Sequence, residues 1–117
     1  MKENFLKDKT FNFSVRIVNL CNFLNNSKKE FILSKQVLRS WTSIGALVRE
    51  AEFAQSKVDF IHKLSIALKE ANETIYWIDL LFNTWYIDKE SYKSIKNDLE
   101  ELLKLLVSIV KTSKSKI

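Results

Sequence analysis

Almost nothing in this chain of 117 residues can interrupt a helix, because it contains no proline and a single glycine, Gly45. Proline removes a backbone donor and clashes with the preceding helical turn, whereas glycine supplies the positive φ angles that tight β-hairpins need. A protein built from several hairpins would need more glycine than this. The sequence therefore predicts an all-α fold, and its length fits one domain with one hydrophobic core.

Apolar residues recur at steps of three and four along four stretches, which indicates four amphipathic helices. The predicted helices span about residues 11–26, 30–54, 57–85 and 88–111. Ser56 and Asp88 are the predicted N-caps of the last two helices. Short turns between helices of similar length favour an antiparallel up-down-up-down four-helix bundle that forms one domain over residues 1–117. The polar, basic residues 112–116 at the end of the chain are expected to fray.

The third predicted helix carries two stripes of regularly spaced residues. The first stripe consists of Ile61, Leu64, Leu68, Ala71, Ile75, Ile78 and Phe82. The second stripe lies on a different face and consists of Ile66, Glu70, Glu73, Trp77 and Leu80. A helix with two such faces either touches both of its neighbours inside one bundle or uses the second face between subunits. The second stripe is therefore the candidate oligomer interface, and the sequence leaves both interpretations open.

Two carboxylates lie within the second stripe, and carboxylates are rarely buried without partners. Arg39 and Arg49 on the second predicted helix are the candidate partners of Glu70 and Glu73. Either arginine could pair with them inside the chain or across a subunit boundary, and a bidentate contact would fix the register of the two helices. The alternative is that both glutamates are simply solvated.

Positive charge is in excess, with a formal net charge of +5, which permits an anionic partner such as RNA or DNA. A basic face is also what an ordinary solvated surface looks like. The candidate phosphate-binding residues are Lys28, Lys29, Lys35, Arg39, Arg49, Lys114 and Lys116. The three tryptophans, Trp41, Trp77 and Trp85, fall within predicted helices, so packing is expected to explain them better than stacking on bases.

The residue types that catalysis requires are scarce. The only histidine, His62, excludes the paired Glu-x-x-His motifs of di-metal bundles, and a single glycine excludes phosphate-cradling loops. Cys21 has no histidine nearby in sequence and is expected to pack in the core. We therefore expect a protein that is not an enzyme and uses no metal, cofactor or small-molecule substrate.

Neither a leader nor a membrane segment is expected from the pattern of apolar residues. The start of the chain does not combine basic, apolar and small-residue regions, and the uncharged runs are far shorter than the ~20 residues that cross a bilayer. The single cysteine cannot form an intrachain disulfide. These features predict a cytoplasmic protein without a membrane partner.

Two ordered blocks of sequence resemble a known bacterial family. The first block consists of residues 33–40 (LSKQVLRS), 42–46 (TSIGA) and 50–51 (EA), and the second of residues 59–74 (DFIHKLSIALKEANET) and 76–77 (YW). Together they resemble the four-helix-bundle family of proteins encoded in intervening sequences of 23S ribosomal RNA genes, also called S23 ribosomal proteins. The resemblance is strong over residues 33–82 and implies a homopentamer with a role in nucleic-acid binding. A related branch is the accessory variability protein of diversity-generating retroelements.

The matching motif positions are interpreted as mostly structural. They are Arg39, Ser43, Gly45, Glu50, Phe60, Lys69, Glu70, Glu73 and Trp77. A glycine inside a helix costs roughly 1 kcal/mol relative to alanine, so Gly45 is expected to permit the close approach of another helix. The chain departs from the family pattern at Trp41, where the family often has glycine, and at Leu47, where it often has asparagine.

The sequence leaves two functional hypotheses from different classes. The first is a non-enzymatic, oligomeric protein that binds the phosphate backbone of RNA or DNA. The alternative is a protein-interaction scaffold, in which the third helix, the only quarter of the chain with net negative charge, engages another protein and nucleic acid plays no part.

Overall fold

The computed structural model describes residues 2–116, with side chains from Asn4 onward. Four helices follow one another, α1 (Lys2–Ser27), α2 (Leu33–Glu52), α3 (Lys57–Asn83) and α4 (Lys89–Ser115). Each helix packs antiparallel to the next, and α4 closes the bundle against α1, within a body of 47 × 21 × 20 Å. The predicted all-α class and the four-helix bundle are confirmed.

Two helices are longer than the sequence pattern predicts. Helix α1 begins at Lys2 rather than near residue 11, because Leu6 and Thr10 continue the buried face that includes Phe13. The sequence pattern did not show this extension, since the hydroxyl of Thr10 interrupts the run of apolar residues. That hydroxyl is satisfied inside the helix by the carbonyl of Leu6 at 2.6 Å. Helix α4 continues to Ser115, so most of the segment expected to fray is helical.

The starts of α3 and α4 agree with the predicted caps. The Ser56 hydroxyl accepts the backbone N–H of Asp59 at 3.0 Å, and the Asp88 carboxylate accepts that of Ser91 at 2.7 Å. The Asp59 carboxylate reaches back to the N–H of Gln55, which completes a reciprocal cap. These bonds satisfy backbone donors that a helix start leaves unpaired.

Helix α2 starts three positions later than predicted, and the residue predicted to begin it acts as a cap. The carboxylate of Glu30 accepts the backbone N–H groups of Ile32, Leu33 and Ser34 at 3.0, 2.8 and 2.8 Å. Although Glu30 is almost fully buried, its charge faces the positive end of the helix dipole. Its side chain therefore fixes the point at which the chain turns from α1 into α2.

The core contains most of the apolar residues that the helical spacing predicts for α1, α2 and α4, among them Trp41, 1% exposed, but Leu38 of α2, predicted on the buried side, is exposed. The buried face of α3 differs from the prediction. Ala67, Thr74 and Leu81 are fully buried, whereas Leu68, Ile75 and Phe82 of the first stripe are only partly buried. Helix α3 packs more extensively on α2 than on α4, which turns its buried face toward α2. The hydroxyls of Ser40 and Thr74 meet there at 2.8 Å.

Gly45 is not required by packing inside the chain. A Cβ atom at this position would have Ser14 Oγ as its nearest neighbour, at 4.0 Å. Helix α1, which Gly45 faces, leaves room for a larger residue, so its approach does not explain the glycine. No helix among the described residues is both long and apolar enough to span a membrane.

Candidate nucleic-acid interface

Three of the predicted basic residues lie at one end of the bundle, where α1 turns into α2. Lys28 and Lys29 occupy the turn, Lys35 lies in the first turn of α2, and all three are exposed. Lys29 has a φ of 53°, in the left-handed region that favours glycine. The Glu30 carboxylate beside them is buried against the start of α2 and is hydrogen-bonded to its backbone.

The turn between α3 and α4 lies at the same end, because the bundle runs up-down-up-down. We call this end, formed by residues 28–32 and 84–88, the turn end. Trp85 projects from it with 88% of its surface exposed and a φ of 71°. Ile87 is buried and anchors the turn. The expectation that Trp85 packs within a helix is wrong, because α3 ends at Asn83.

The other basic residues lie elsewhere. Arg49 near the end of α2 and Lys114 and Lys116 at the end of α4 belong to the opposite end, which we call the terminal end. That end is formed by the α2–α3 turn (residues 53–56), the start of α1 and the end of α4. The predicted basic residues therefore do not form one patch, since the bundle is 47 Å long.

Arg39 lies between the two ends and is already paired within the chain. Its guanidinium forms ion pairs with Glu73 and, at 3.8 Å, with Glu70. Its Nε also donates to Gln36 Oε1 at 3.1 Å. The sequence correctly named Arg39 as a partner of the two glutamates. These contacts make Arg39 a link between α2 and α3, and they leave it less available to phosphate than the exposed lysines.

The second stripe of α3 lies along the edge of the α2–α3 contact. Ile66, Glu70, Glu73, Trp77 and Leu80 are all partly buried. Trp77 Nε1 donates to Glu73 Oε1 at 3.2 Å, so two of its members are bonded to each other. The structure thus supplies a partner inside the chain for each glutamate, while each member of the stripe keeps some surface exposed.

The two glutamates of this network titrate differently. Burial raises the pKa of Glu70, and its hydrogen bond with Glu73 raises it further. For Glu73, burial acts in the same direction, but hydrogen bonds from Trp77 and Arg39 outweigh it and hold the pKa below the usual value. Glu73 is therefore the carboxylate that carries the charge facing Arg39, and Glu70 is the one that holds a proton more readily.

The two residues considered for chemistry lie apart from each other. Cys21 is buried, its thiol donates to the carbonyl of Ser34 at 3.4 Å, and burial raises its pKa to about 11. A thiol in this state is a poor nucleophile at neutral pH. His62 is exposed on α3. Within residues 2–116, no cluster of three or more His, Cys, Asp or Glu side chains is placed to hold a metal ion.

Exposed apolar side chains mark a second kind of surface. Phe11, Val15 and Val18 follow one face of α1, which we call the α1 strip, and each is about half exposed. Phe11 also lines a groove of about 320 Å³ together with Gly45 and Ala46 of α2. The sequence does not distinguish this strip from the core, because its residues have the same helical spacing as the buried residues beside them.

A larger cleft of about 360 Å³ lies at the terminal end. Leu6, Val48 and Phe60 contribute to its apolar wall, and the ion pair between Lys7 and Glu52, at 3.2 Å, lies at its rim. Lys7 and Lys9 of α1 form ion pairs with Glu52 of α2 and Glu101 of α4, so both lysines join helices.

Comparison with known proteins gives one family and a closely similar structure. The profile of a family described as 23S rRNA-intervening sequence protein matches residues 2–108. A crystal structure of a protein of unknown function from the S23 ribosomal protein family of Bacteroides thetaiotaomicron is 64% identical, with a TM-score of 0.93. The match covers 95% of this chain and 99% of that chain. A search of curated proteins gives no match.

Proposed function

This chain belongs to the family of 23S rRNA-intervening sequence proteins, and from that premise we propose that it is a non-enzymatic, oligomeric protein that binds the phosphate backbone of RNA or DNA. One observation carries the proposal: apart from Arg39, the predicted basic residues are exposed and have no carboxylate partner among the described side chains. Unpaired cations that neutralise phosphates release counterions, which is the main source of non-specific affinity for nucleic acid.

A cytoplasmic location is part of the same proposal. RNA and DNA are available to a protein of the bacterial cytoplasm, and the single cysteine, Cys21, is free and buried, as suits a reducing compartment. No catalytic step is proposed, because the described residues do not bring the buried thiol of Cys21 or the exposed His62 into a cluster that would form a reaction centre.

Salt dependence is the direct test of phosphate binding. We expect the affinity for a fluorescently labelled RNA or DNA oligonucleotide to fall steeply between low and physiological salt. Lys35→Glu at the turn end and Arg49→Glu at the terminal end are the informative variants, and each should lower the salt slope by about one unit if that end binds phosphate. Lys104→Glu, on α4 away from both ends, is the charge-matched control.

The outcomes separate the two ends of the bundle. A loss confined to Lys35→Glu places the phosphates at the turn end, and a loss confined to Arg49→Glu places them at the terminal end. Tight binding that does not respond to salt would contradict the proposal, as would equal losses for all three variants, which report only a change of net charge.

Self-association is the second part of the proposal, and the family resemblance implies five subunits. The α1 strip supports it, because Phe11, Val15 and Val18 expose apolar surface that a second copy would cover. Gly45 supports it as well, because it lies in the groove beside Phe11 and no contact inside the chain requires it. The second stripe of α3 remains the alternative contact surface.

Light scattering distinguishes these surfaces. Val15→Glu adds a charge to an exposed position, so it should leave the fold intact and reduce the measured mass to that of a smaller species if the α1 strip is the contact. Leu80→Glu is the corresponding variant on the second stripe, and because Leu80 is partly buried, its thermal unfolding is measured alongside. A mass that neither variant changes would exclude both surfaces as the main contact.

A protein-interaction scaffold is the second candidate function, and the α1 strip is the observation that favours it. Apolar side chains on a helix face are covered by another protein more readily than by phosphates. A protein partner that is recovered after nuclease treatment, and lost with Val15→Glu while the mass of the protein itself is unchanged, would support this candidate over nucleic-acid binding.

A further inference from the structure

Trp85 combines two unusual properties in a short turn. It is 88% exposed, and its φ of 71° places a bulky side chain in the left-handed backbone region. A bulky residue at positive φ is a genuine outlier, and such conformations cost free energy unless the surrounding structure imposes them. Glycine or asparagine would occupy this position with less strain.

The fold makes little use of the indole ring. The aromatic contacts among the described residues pair Phe13 with Trp41, Tyr76 with Trp77 and Phe82 with Tyr92. The backbone of the turn is held instead by its own hydrogen bonds, from Trp85 N–H to the Phe82 carbonyl at 3.1 Å and from Tyr86 N–H to the Leu81 carbonyl at 3.0 Å. The ring of Trp85 is therefore free to contact another molecule.

Four lysines lie at the same end of the bundle as this ring. Lys28, Lys29 and Lys35 belong to the neighbouring turn and the start of α2, and Lys89 begins α4. The cross-section of the bundle, 21 × 20 Å, keeps both turns within the span of a short oligonucleotide. Three carboxylates lie at the same end, since Glu30 and Asp88 cap α2 and α4 and Glu90 is in the first turn of α4, so the four lysines exceed them by one charge.

We propose that the turn end binds single-stranded nucleic acid, with Trp85 stacking on a base and Lys28, Lys29, Lys35 and Lys89 contacting the flanking phosphates. This inference rests on the proposed function and names the strand state and the contact that it recognises. Bases in a duplex are stacked on each other, whereas an aromatic platform beside a basic surface suits unpaired bases of any sequence.

The terminal end provides a natural comparison. Phe53 is also exposed there, at 82%, but its φ of −111° is an ordinary backbone conformation. The shallow groove beside it contains the carboxylates of Glu50 and Asp59 as well as Arg49 and Lys63. The charges around Phe53 cancel, two of each sign, whereas the lysines at the turn end exceed the carboxylates by one.

The test compares a single strand with the duplex of the same sequence. Trp85→Ala should weaken binding of the single strand by about fivefold to 150-fold, the equivalent of stacking one base, and should change duplex binding little. Trp85→Phe should retain most of the affinity, because a phenyl ring still stacks. Phe53→Ala is the matched control and should leave both affinities unchanged.

Tryptophan fluorescence gives an independent readout. Trp41 is buried and Trp77 partly buried, so quenching on addition of a single strand should come from Trp85 and should disappear in Trp85→Phe.

Three results would overturn the inference. Trp85→Ala could leave single-strand affinity unchanged, weaken the single strand and the duplex equally, or alter the oligomeric mass, which would assign Trp85 to a subunit contact. If Lys35→Glu still weakens binding in such a case, phosphate binding stands and only the stacking contact fails. If no oligonucleotide binds the wild-type protein at low salt, both proposals fail.

Discussion

The two ends of the bundle both join antiparallel helices, but they differ in backbone conformation and in helix capping. At the turn end, Lys29 and Trp85 both have positive φ angles, and the buried Glu30 caps α2 with three hydrogen bonds. At the terminal end, the turn between α2 and α3 contains no positive φ, and Ser56 caps α3 with one hydrogen bond. The turn end thus contains two backbone conformations that are unfavourable for residues other than glycine, and the α2–α3 turn contains none.

This difference bears on function because exposed, strained residues persist only where the rest of the structure imposes them, and they occur often at binding sites. The α1–α2 turn carries Lys28 and Lys29, and the α3–α4 turn carries Trp85, the most exposed tryptophan of the described chain, with Lys89 just after it at the start of α4. The terminal end has basic residues as well, but several cations of its helices are used in ion pairs, such as Lys7 with Glu52 and Lys63 with Glu50.

The largest effect should come from the caps. Glu30→Ala would leave three backbone donors without their acceptor, one of them on the buried Ser34, and we expect a loss of about 3 kcal/mol in the free energy of unfolding. Ser56→Ala, the corresponding change at the terminal end, should cost about 1 kcal/mol. Denaturation in urea measures both. Equal losses would show that the two ends depend on their caps to the same degree.

The second-largest effect should be a loss of stability at alkaline pH, which acts near the turn end through Cys21. Cys21 lies beside Ser34 of α2, and its pKa is raised to about 11 in the folded protein, from an ordinary value of 9.0. The folded state therefore keeps a proton that the unfolded chain loses, so stability is full below pH 9 and declines as the pH rises toward 11. The loss should approach roughly 2 kcal/mol.

Cys21→Ala is the control for this pH dependence, because it removes the titrating group. Stability curves measured from pH 8 to 11 should converge between the wild type and the variant as the advantage of the thiol is lost. Parallel curves would mean that Cys21 does not titrate in this window.

A smaller effect, with opposite sign at the two ends, should follow from glycine substitutions. Trp85→Gly relieves the strain of positive φ and should raise the free energy of unfolding by about 1 kcal/mol. Phe53→Gly, at an ordinary φ, should lower it by about 0.5 kcal/mol through the entropy of the unfolded chain. Thermal unfolding compares the two. A loss of stability with Trp85→Gly would show that the indole ring supports the fold.

The smallest effect should be seen at Lys29. Lys29→Gly removes a strained side chain from the turn end and should raise the free energy of unfolding by about 0.5 kcal/mol. Lys28→Gly, at the neighbouring position without positive φ, should lower it slightly. Both variants lose one positive charge, so a difference in stability between them reports backbone strain rather than net charge.

Local sequence signals located the caps at Ser56 and Asp88, because a short polar side chain just before a helix bonds to backbone only three residues away. The start of α1 was missed for an equally local reason: Thr10 is buried with its hydroxyl bonded to the carbonyl of Leu6, and a hydroxyl does not count as apolar in a periodicity pattern. The helical pattern also extended α3 to Trp85, since its spacing from Ile78 and Phe82 continues the period.

The candidate interface was predicted only in part. The excess charge and the identity of the basic residues can be read from the sequence, but their distribution over two ends about 47 Å apart cannot, because it depends on the direction of each helix. Arg39 could be named as a partner of Glu70 and Glu73, while the choice of Arg39 over Arg49 required the register of α2 against α3.

The sequence by itself determined the class of fold, since a chain with one glycine and no proline, and with apolar residues at helical spacing, has few ways to bury them other than a helical bundle. It also determined the net charge and the helix caps, which act over a few residues. Only the tertiary structure decided that α3 turns its buried face toward α2, that Arg39 is held by two carboxylates, and that Trp85 stands exposed at the same end as the lysines of the α1–α2 turn. Those features depend on which helices meet and at what register, and such contacts join residues that are far apart in the chain.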